Sequence, residues 1–213
     1  RLHDNYLVRH TIRQLTAQSM ASGEIYRELW LTERGLDPRV VMPDFRHPGR
    51  SQASFIPIEP VSSLRYGVLP PQPGELRPAP TRDTAETRAG ARIEPMLRRK
   101  QVYNLSAVRI LDAEGCVVAT TRGEAGLCMD SVPEVAAALA GRYSALVRER
   151  ISDEPLPPLS DVRSRGSTRL FTALPLFSEG RVIAVVRASR TSLDARTSLW
   201  HNRRGLLFAF SAT

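Results

Sequence analysis

In residues 1–34, apolar and small side chains recur at alternating intervals of four and three positions, and no proline interrupts them. The members of this seam are Val8, Ile12, Leu15, Ser19, Ser22, Tyr26 and Leu29. Such spacing predicts a long amphipathic helix. Two compatible arrangements fit it equally: a stalk that pairs with the same helix of a second copy, or a helix that packs on its own sheet.

Residues 35–101 have a different pattern, because they hold most of the 16 prolines of the chain. Proline neither continues a helix nor fits a central strand. Apolar side chains such as Phe55, Ile58 and Leu69 still recur there, which a bare linker would not need. We therefore expect a proline-rich ordered coil with short elements, including a helix over residues 87–100, that belongs to the same domain.

Strand and turn signals alternate in residues 102–190, with strands predicted over residues 106–111, 116–121, 142–151, 168–177 and 181–189. A tight turn at Asp112–Gly115 joins the first two strands. A helix over residues 133–141 begins with Pro133, and the preceding Ser131 with Glu134 predicts a capping box. An exit helix is expected over residues 191–213. The predicted fold class is α+β, with the first helix packed on a central antiparallel sheet.

The net charge of +8 comes from 30 basic and 22 acidic side chains among 213 residues. Lys100 is the only lysine, and the arginines are spread over all regions instead of forming one basic stripe. Nucleic-acid binding is therefore not expected, although a basic polyanion-binding protein remains the alternative from a different functional class.

The sequence contains few residues in arrangements that are typical of catalytic sites. The four histidines are isolated from one another and from carboxylates, and no hydrolase, metalloprotease or nucleotide-binding motif occurs. Adjacent carboxylates at Asp153 and Glu154 fit a solvated turn better than an acid/base pair. We expect no catalytic residue, no metal and no cofactor.

The runs VRILDAEGCVVATT, PEVAAALAG and LFTALPLFSEGRVIAVVRASRT resemble a Cache/PAS-like (PDC-type) extracytoplasmic sensor domain of bacterial two-component histidine kinases. The resemblance covers residues 103–190. It implies a non-catalytic periplasmic domain that senses a ligand or envelope stress and transmits it through its terminal helices. It also implies a homodimer formed through the first helix and a membrane-tethered parent kinase, with residues 191–213 leading into a truncated span. The same scaffold could instead serve a chemoreceptor or a cyclic-dinucleotide enzyme.

Arginines inside otherwise apolar strands either reach solvent or point into a pocket for a carboxylate or phosphate. Cache-type domains bind small metabolites between the sheet and its covering loops. By that resemblance we expect a partial pocket for a small anion, formed by Tyr143, Arg148, Arg169, Phe171 and Arg187. Cys116 and Cys128 are either reduced or joined in one disulfide, and a periplasmic location makes the disulfide plausible.

Overall fold

The computed structural model of the chain describes residues 2–38, 68–71, 76–150 and 168–191. These residues contain three helices, α1 (Leu2–Glu33), α2 (Ala85–Asn104) and α3 (Pro133–Leu139). They also contain seven strands: β1 (Arg77–Pro78), β2 (Ala107–Asp112), β3 (Val117–Thr120), β4 (Leu127–Cys128), β5 (Ser144–Glu149), β6 (Thr168–Ser178) and β7 (Arg181–Thr191).

Five of these strands form one sheet in the order β3-β2-β7-β6-β5, and every neighbouring pair is antiparallel. A separate two-stranded ladder joins β1 to β4. The predicted α+β class, with a long first helix on an antiparallel sheet, is confirmed. Each of the five strands predicted from alternation is present, with its ends shifted by a few residues.

One face of the sheet is covered by α1 and α2, which share its larger hydrophobic core. The predicted seam of α1 faces this core: Ile12, Leu15, Ser19, Ser22 and Tyr26 are buried, and Val8 and Leu29 are half-buried. The seam therefore packs on the sheet of its own chain, which is one of the two predicted arrangements, and homodimerisation through α1 stays a prediction. A second copy would have to meet the opposite, polar side of the helix.

Two glycines allow the helices to approach the sheet closely. A Cβ atom at Gly90 in α2 would lie 2.1 Å from the carbonyl oxygen of Val118 in β3. A Cβ atom at Gly23 in α1 would lie 2.5 Å from Cδ2 of Leu176 in β6. The approach of α2 to β3 therefore depends on the absence of a side chain at Gly90, whereas the atom nearest Gly23 is the movable end of a side chain.

The helix α2 extends two residues before and four residues after the predicted helix, and a capping box that was not predicted fixes its start. The Thr84 hydroxyl accepts a hydrogen bond from the Thr87 backbone N–H at 3.3 Å, and the Thr87 hydroxyl accepts one from the Thr84 N–H at 2.9 Å. Pro95 lies within the helix, where its ring is solvent-exposed.

The other face of the sheet is covered by α3, which packs a smaller core of Leu111, Val117, Met129, Val132, Val135, Ala138, Ala173 and Val185. Pro133 occupies the first turn, as predicted. The predicted capping box is wrong: Val132 is the N-cap residue and no side chain caps the helix. The Glu134 side chain is turned toward the sheet instead, where it has arginine partners.

The predicted exit helix lies outside the described residues, except for Thr191, which ends β7. Much of the proline-rich region, residues 39–67 and 72–75, also lies outside them. Within the described ranges, no helix combines the length and the apolar character needed to cross a membrane.

Candidate functional site

Four arginines from four strands lie on the face of the sheet that α3 covers. Arg109 of β2 is paired in register with Arg187 of β7, and Arg148 of β5 is paired with Arg169 of β6. Alternate residues of a strand share a face, so Phe171 joins the same surface. Burial of several cations on one face is costly unless carboxylates or a ligand compensate their charge.

Glu134, in the first turn of α3, supplies part of this compensation. Its Oε1 accepts a hydrogen bond from Nη2 of Arg187 at 2.7 Å, and its Oε2 accepts one from Nη2 of Arg148 at 2.9 Å. The side chains of Glu134 and Arg187 are 0% and 1% exposed. Burial alone would raise the pKa of Glu134, but Arg187 and Arg148 outweigh it and hold the pKa below its usual value.

A second carboxylate, Glu124, pairs with Arg109. Nη2 of Arg109 donates to Oε1 of Glu124 at 2.6 Å, and Nε of the same guanidinium donates to the other oxygen. This bidentate geometry fixes the plane of the guanidinium. Burial raises the pKa of Glu124, and the bonds from Arg109 more than reverse that effect.

Phe171 lies close to the guanidinium groups of Arg169 and Arg187. Cζ of Arg187 lies 4.5 Å from the ring centroid, and Cζ of Arg169 lies 5.8 Å from it. Both distances suit a cation–π contact. The aromatic ring therefore contacts Arg169 without neutralising its charge.

Arg169 differs from its neighbours because it has no carboxylate partner among the described residues. Its buried Nε lacks a hydrogen-bond acceptor there, as do Nε of Arg148 and Oγ of Ser189 on the same face. Burial lowers the pKa of Arg169 to about 10, and the nearby charges of Arg122, Arg109 and Arg187 add to that effect. The group remains protonated at neutral pH, so an anion placed here would gain both hydrogen bonds and charge compensation.

The predicted pocket residues are therefore brought together in part. Arg148, Arg169, Phe171 and Arg187 share one face, as the strand pattern implied. Tyr143 lies on the opposite face, where its hydroxyl is 2.9 Å from the hydroxyl of Thr16 in α1. It cannot line the same pocket, because Tyr143 directly precedes β5 and lies an odd number of positions from Arg148 along the extended chain.

Sequence reasoning missed the carboxylates Glu124 and Glu134. Glu134 carried a signal, since it is the only charged residue in the otherwise apolar run PEVAAALAG. Its position three residues after Ser131 matches the capping-box motif, so the sequence alone predicts a helix cap. The partner arginines come from strands distant in sequence, and only the fold brings them near α3.

Cys116 and Cys128 are joined by a disulfide in the structure. The two residues also face each other in an antiparallel bridge, so the bond ties the start of β3 to the end of β4. Met129 follows directly, donating its backbone N–H to the carbonyl oxygen of Gly115 at 2.8 Å. The disulfide thereby fixes the segment from which α3, and with it Glu134, approaches the sheet.

No protein-family model matches the chain, and no curated protein shows significant similarity to it. Among solved structures, the chain is similar to the sensor domain of the histidine kinase DctB from V. cholerae, with 13% sequence identity and a TM-score of 0.37. The match covers 52% of this chain and 40% of that one, so the chain spans less than half of the sensor domain it resembles. A score this low does not establish a common fold.

Proposed function

We propose that this chain is a non-catalytic, extracytoplasmic sensor domain of a membrane-bound bacterial histidine kinase and that it binds a small anion on its arginine face. The sequence resemblance, the α+β arrangement and the chemistry of that face support this function. The kinase output and the periplasmic location follow from the resemblance alone.

The observation that carries the proposal is that no carboxylate of the described residues compensates the charge of Arg169. Glu134 is shared by Arg148 and Arg187, and Glu124 is engaged by Arg109. Neither carboxylate reaches Arg169 within hydrogen-bond distance among the described residues. A small carboxylate or phosphate that accepts hydrogen bonds from Arg169 would compensate its charge, as Glu134 and Glu124 compensate the charges of the other three arginines.

The sheet offers a route from this face to α1. Arg169 lies on β6 and Arg187 on β7, and α1 packs on both strands from the opposite side. An anion that shifts β6 relative to β7 would therefore change the position of α1 on the sheet. Such a shift would be passed on as a change in the populations of two helix positions. Homodimerisation, if it accompanies signalling, would use the polar side of α1.

Calorimetric titration of small monocarboxylates, dicarboxylates and inorganic phosphate tests the site. We expect at least one of these anions to bind, and Arg169→Gln to weaken it by about tenfold or more, as loss of a charged hydrogen bond predicts. Arg181→Gln is the matched control, because this arginine is exposed in the β6–β7 hairpin at the far end of the strand. Equal affinity in the wild type and Arg169→Gln would refute the site, and so would the absence of binding by every anion tested.

A further inference from the structure

The C-terminal end of α2 presents large apolar side chains to solvent. Val102 is 75% exposed, Tyr103 is 87% exposed, and Leu105, which caps the helix in a left-handed conformation, is 48% exposed. Exposed apolar groups that are adjacent in space mark interaction surfaces more often than isolated ones do. A tyrosine at such a position suits an interface between an apolar phase and water, because its ring is apolar and its hydroxyl can stay hydrated.

Two cations lie one helical turn before these residues. Arg99 is three and four positions from Val102 and Tyr103, so it shares their side of the helix, and Lys100 is adjacent to Tyr103 in the same way. Neither cation forms an ion pair with any residue that the structure describes. Arg98, by contrast, donates to Glu94 at 2.7 Å. We call Arg99, Lys100, Val102, Tyr103 and Leu105 the α2-end patch.

The patch lies beside the middle of α1 and near the end of β7. Ser106, next to the patch, donates its hydroxyl to Oε1 of Gln18 in α1 at 2.9 Å. Nη1 of Arg190, near the end of β7, donates to Oε1 of Gln14 at 3.2 Å. The exposed Arg9 and Arg13 precede these two glutamines along α1.

We propose that the α2-end patch binds the surface of an anionic phospholipid bilayer, with Val102, Tyr103 and Leu105 in the headgroup region and Arg99 and Lys100 against lipid phosphates. Amphipathic helix ends of this composition bind membrane interfaces by apolar burial combined with attraction to anionic lipid. A second copy fits less well, because a two-fold contact through the patch would bring like cations together. The proposal rests on the membrane attachment in the proposed function, but not on anion binding at Arg169.

Co-sedimentation of the full 213-residue chain with vesicles tests this surface. The probes are phosphatidylcholine vesicles with and without phosphatidylglycerol, at low and physiological salt. The apolar run near residue 205 could itself bind lipid. The comparison is therefore between the wild-type chain and variants of the same length, which all contain this run. Arg99→Glu/Lys100→Glu removes the charge of the patch, and Val102→Ser/Tyr103→Ser removes its apolar part. Arg142→Glu/Arg181→Glu makes the same change in net charge at exposed arginines outside the patch.

We expect binding that requires phosphatidylglycerol and falls by about tenfold or more in the Arg99→Glu/Lys100→Glu variant, since each cation near an anionic surface contributes substantially. The Val102→Ser/Tyr103→Ser variant should also bind less, and the Arg142→Glu/Arg181→Glu control should change by less than about twofold. Equal losses in both charge variants would show a net-charge effect and overturn the proposal. Unchanged vesicle binding with loss of dimerisation in the ultracentrifuge would assign the patch to a second copy and also overturn it. Anion titration at Arg169, measured without vesicles, stays a separate test of the proposed function.

Discussion

At the scale of single residues, the arginine face is organised by one side chain, Glu134. A buried carboxylate with two guanidinium partners stabilises the charged state of all three groups together. Removing the carboxylate takes away the anionic partner that Arg148 and Arg187 share. A buried charge that loses its partner lowers the stability of the folded state strongly.

We therefore expect Glu134→Gln to lower the free energy of unfolding by about 3–5 kcal/mol, measured by urea denaturation at neutral pH. The matched control is Glu114→Gln, because Glu114 pairs with Arg82 at the surface, where both side chains are more than half exposed. A surface pair of this kind contributes less than about 1 kcal/mol. Similar losses in the two variants would contradict the role assigned to Glu134.

The same residue gives a pH dependence with a definite sign. The folded-state pKa of Glu134 lies below the usual carboxyl value of 4.5, so its stabilising effect is complete above that value and is lost as pH falls below it. Unfolding experiments between neutral and acid pH should show a steeper loss of stability in the wild type than in Glu134→Gln. Parallel curves would mean that this carboxylate is not held in its charged form by the arginines.

Glycine positions provide a second test at this scale. Gly90→Ala should lower stability by about 2 kcal/mol or more, because its methyl group would meet the backbone oxygen of Val118, which cannot move aside. Gly23→Ala should change stability by less than about 1 kcal/mol, since the end of the Leu176 side chain can rotate and alanine favours the helix. Thermal unfolding of both variants would show the contrast, and the reverse order would contradict the packing described.

At the scale of elements, the sequence predicted what depends on local pattern. The alternation in the strands, the turn after Asp112 and Pro133 at the start of a helix all required only neighbouring residues. The local pattern could not predict what the α1 seam packs against, because the same apolar stripe can pack on a sheet or on a second helix. The contact between Glu134 and Arg187 joins residues 53 positions apart and depends on the register of β7.

The disulfide should affect both stability and the arginine face. Cys116→Ala/Cys128→Ala removes a cross-link across 12 positions and should lower the free energy of unfolding by about 3 kcal/mol by the loop-closure relation. It should also weaken anion binding severalfold, because the segment before α3 loses its tether. Wild-type protein in reductant should approach the variant in both measurements. Anion affinity that is equal in the oxidised and reduced protein would show that the tether serves stability alone.

At the scale of the whole molecule, the sheet separates two different environments. The face beneath α1 and α2 is apolar, and small residues such as Ser19, Ser22 and Gly23 let α1 lie close to it. The face beneath α3 holds charged groups whose balance an anion would change. The strands β6 and β7 belong to both faces, so α1 and the arginine face are connected through these strands and not by a direct contact.

This arrangement predicts which elements should change their hydrogen-exchange protection when an anion binds. Hydrogen–deuterium exchange with the tightest-binding anion of the titration series should change protection in β6, β7 and the part of α1 that packs on them. Smaller changes are expected in α2, which packs mainly on β3 and β2 at the other edge. Arg169→Gln protein treated with the same anion is the control, and its exchange should stay at the unliganded level. Changes confined to α3 and β5 would show that binding stays local, and the transmission of signal through α1 would then be refuted even if the anion site itself holds.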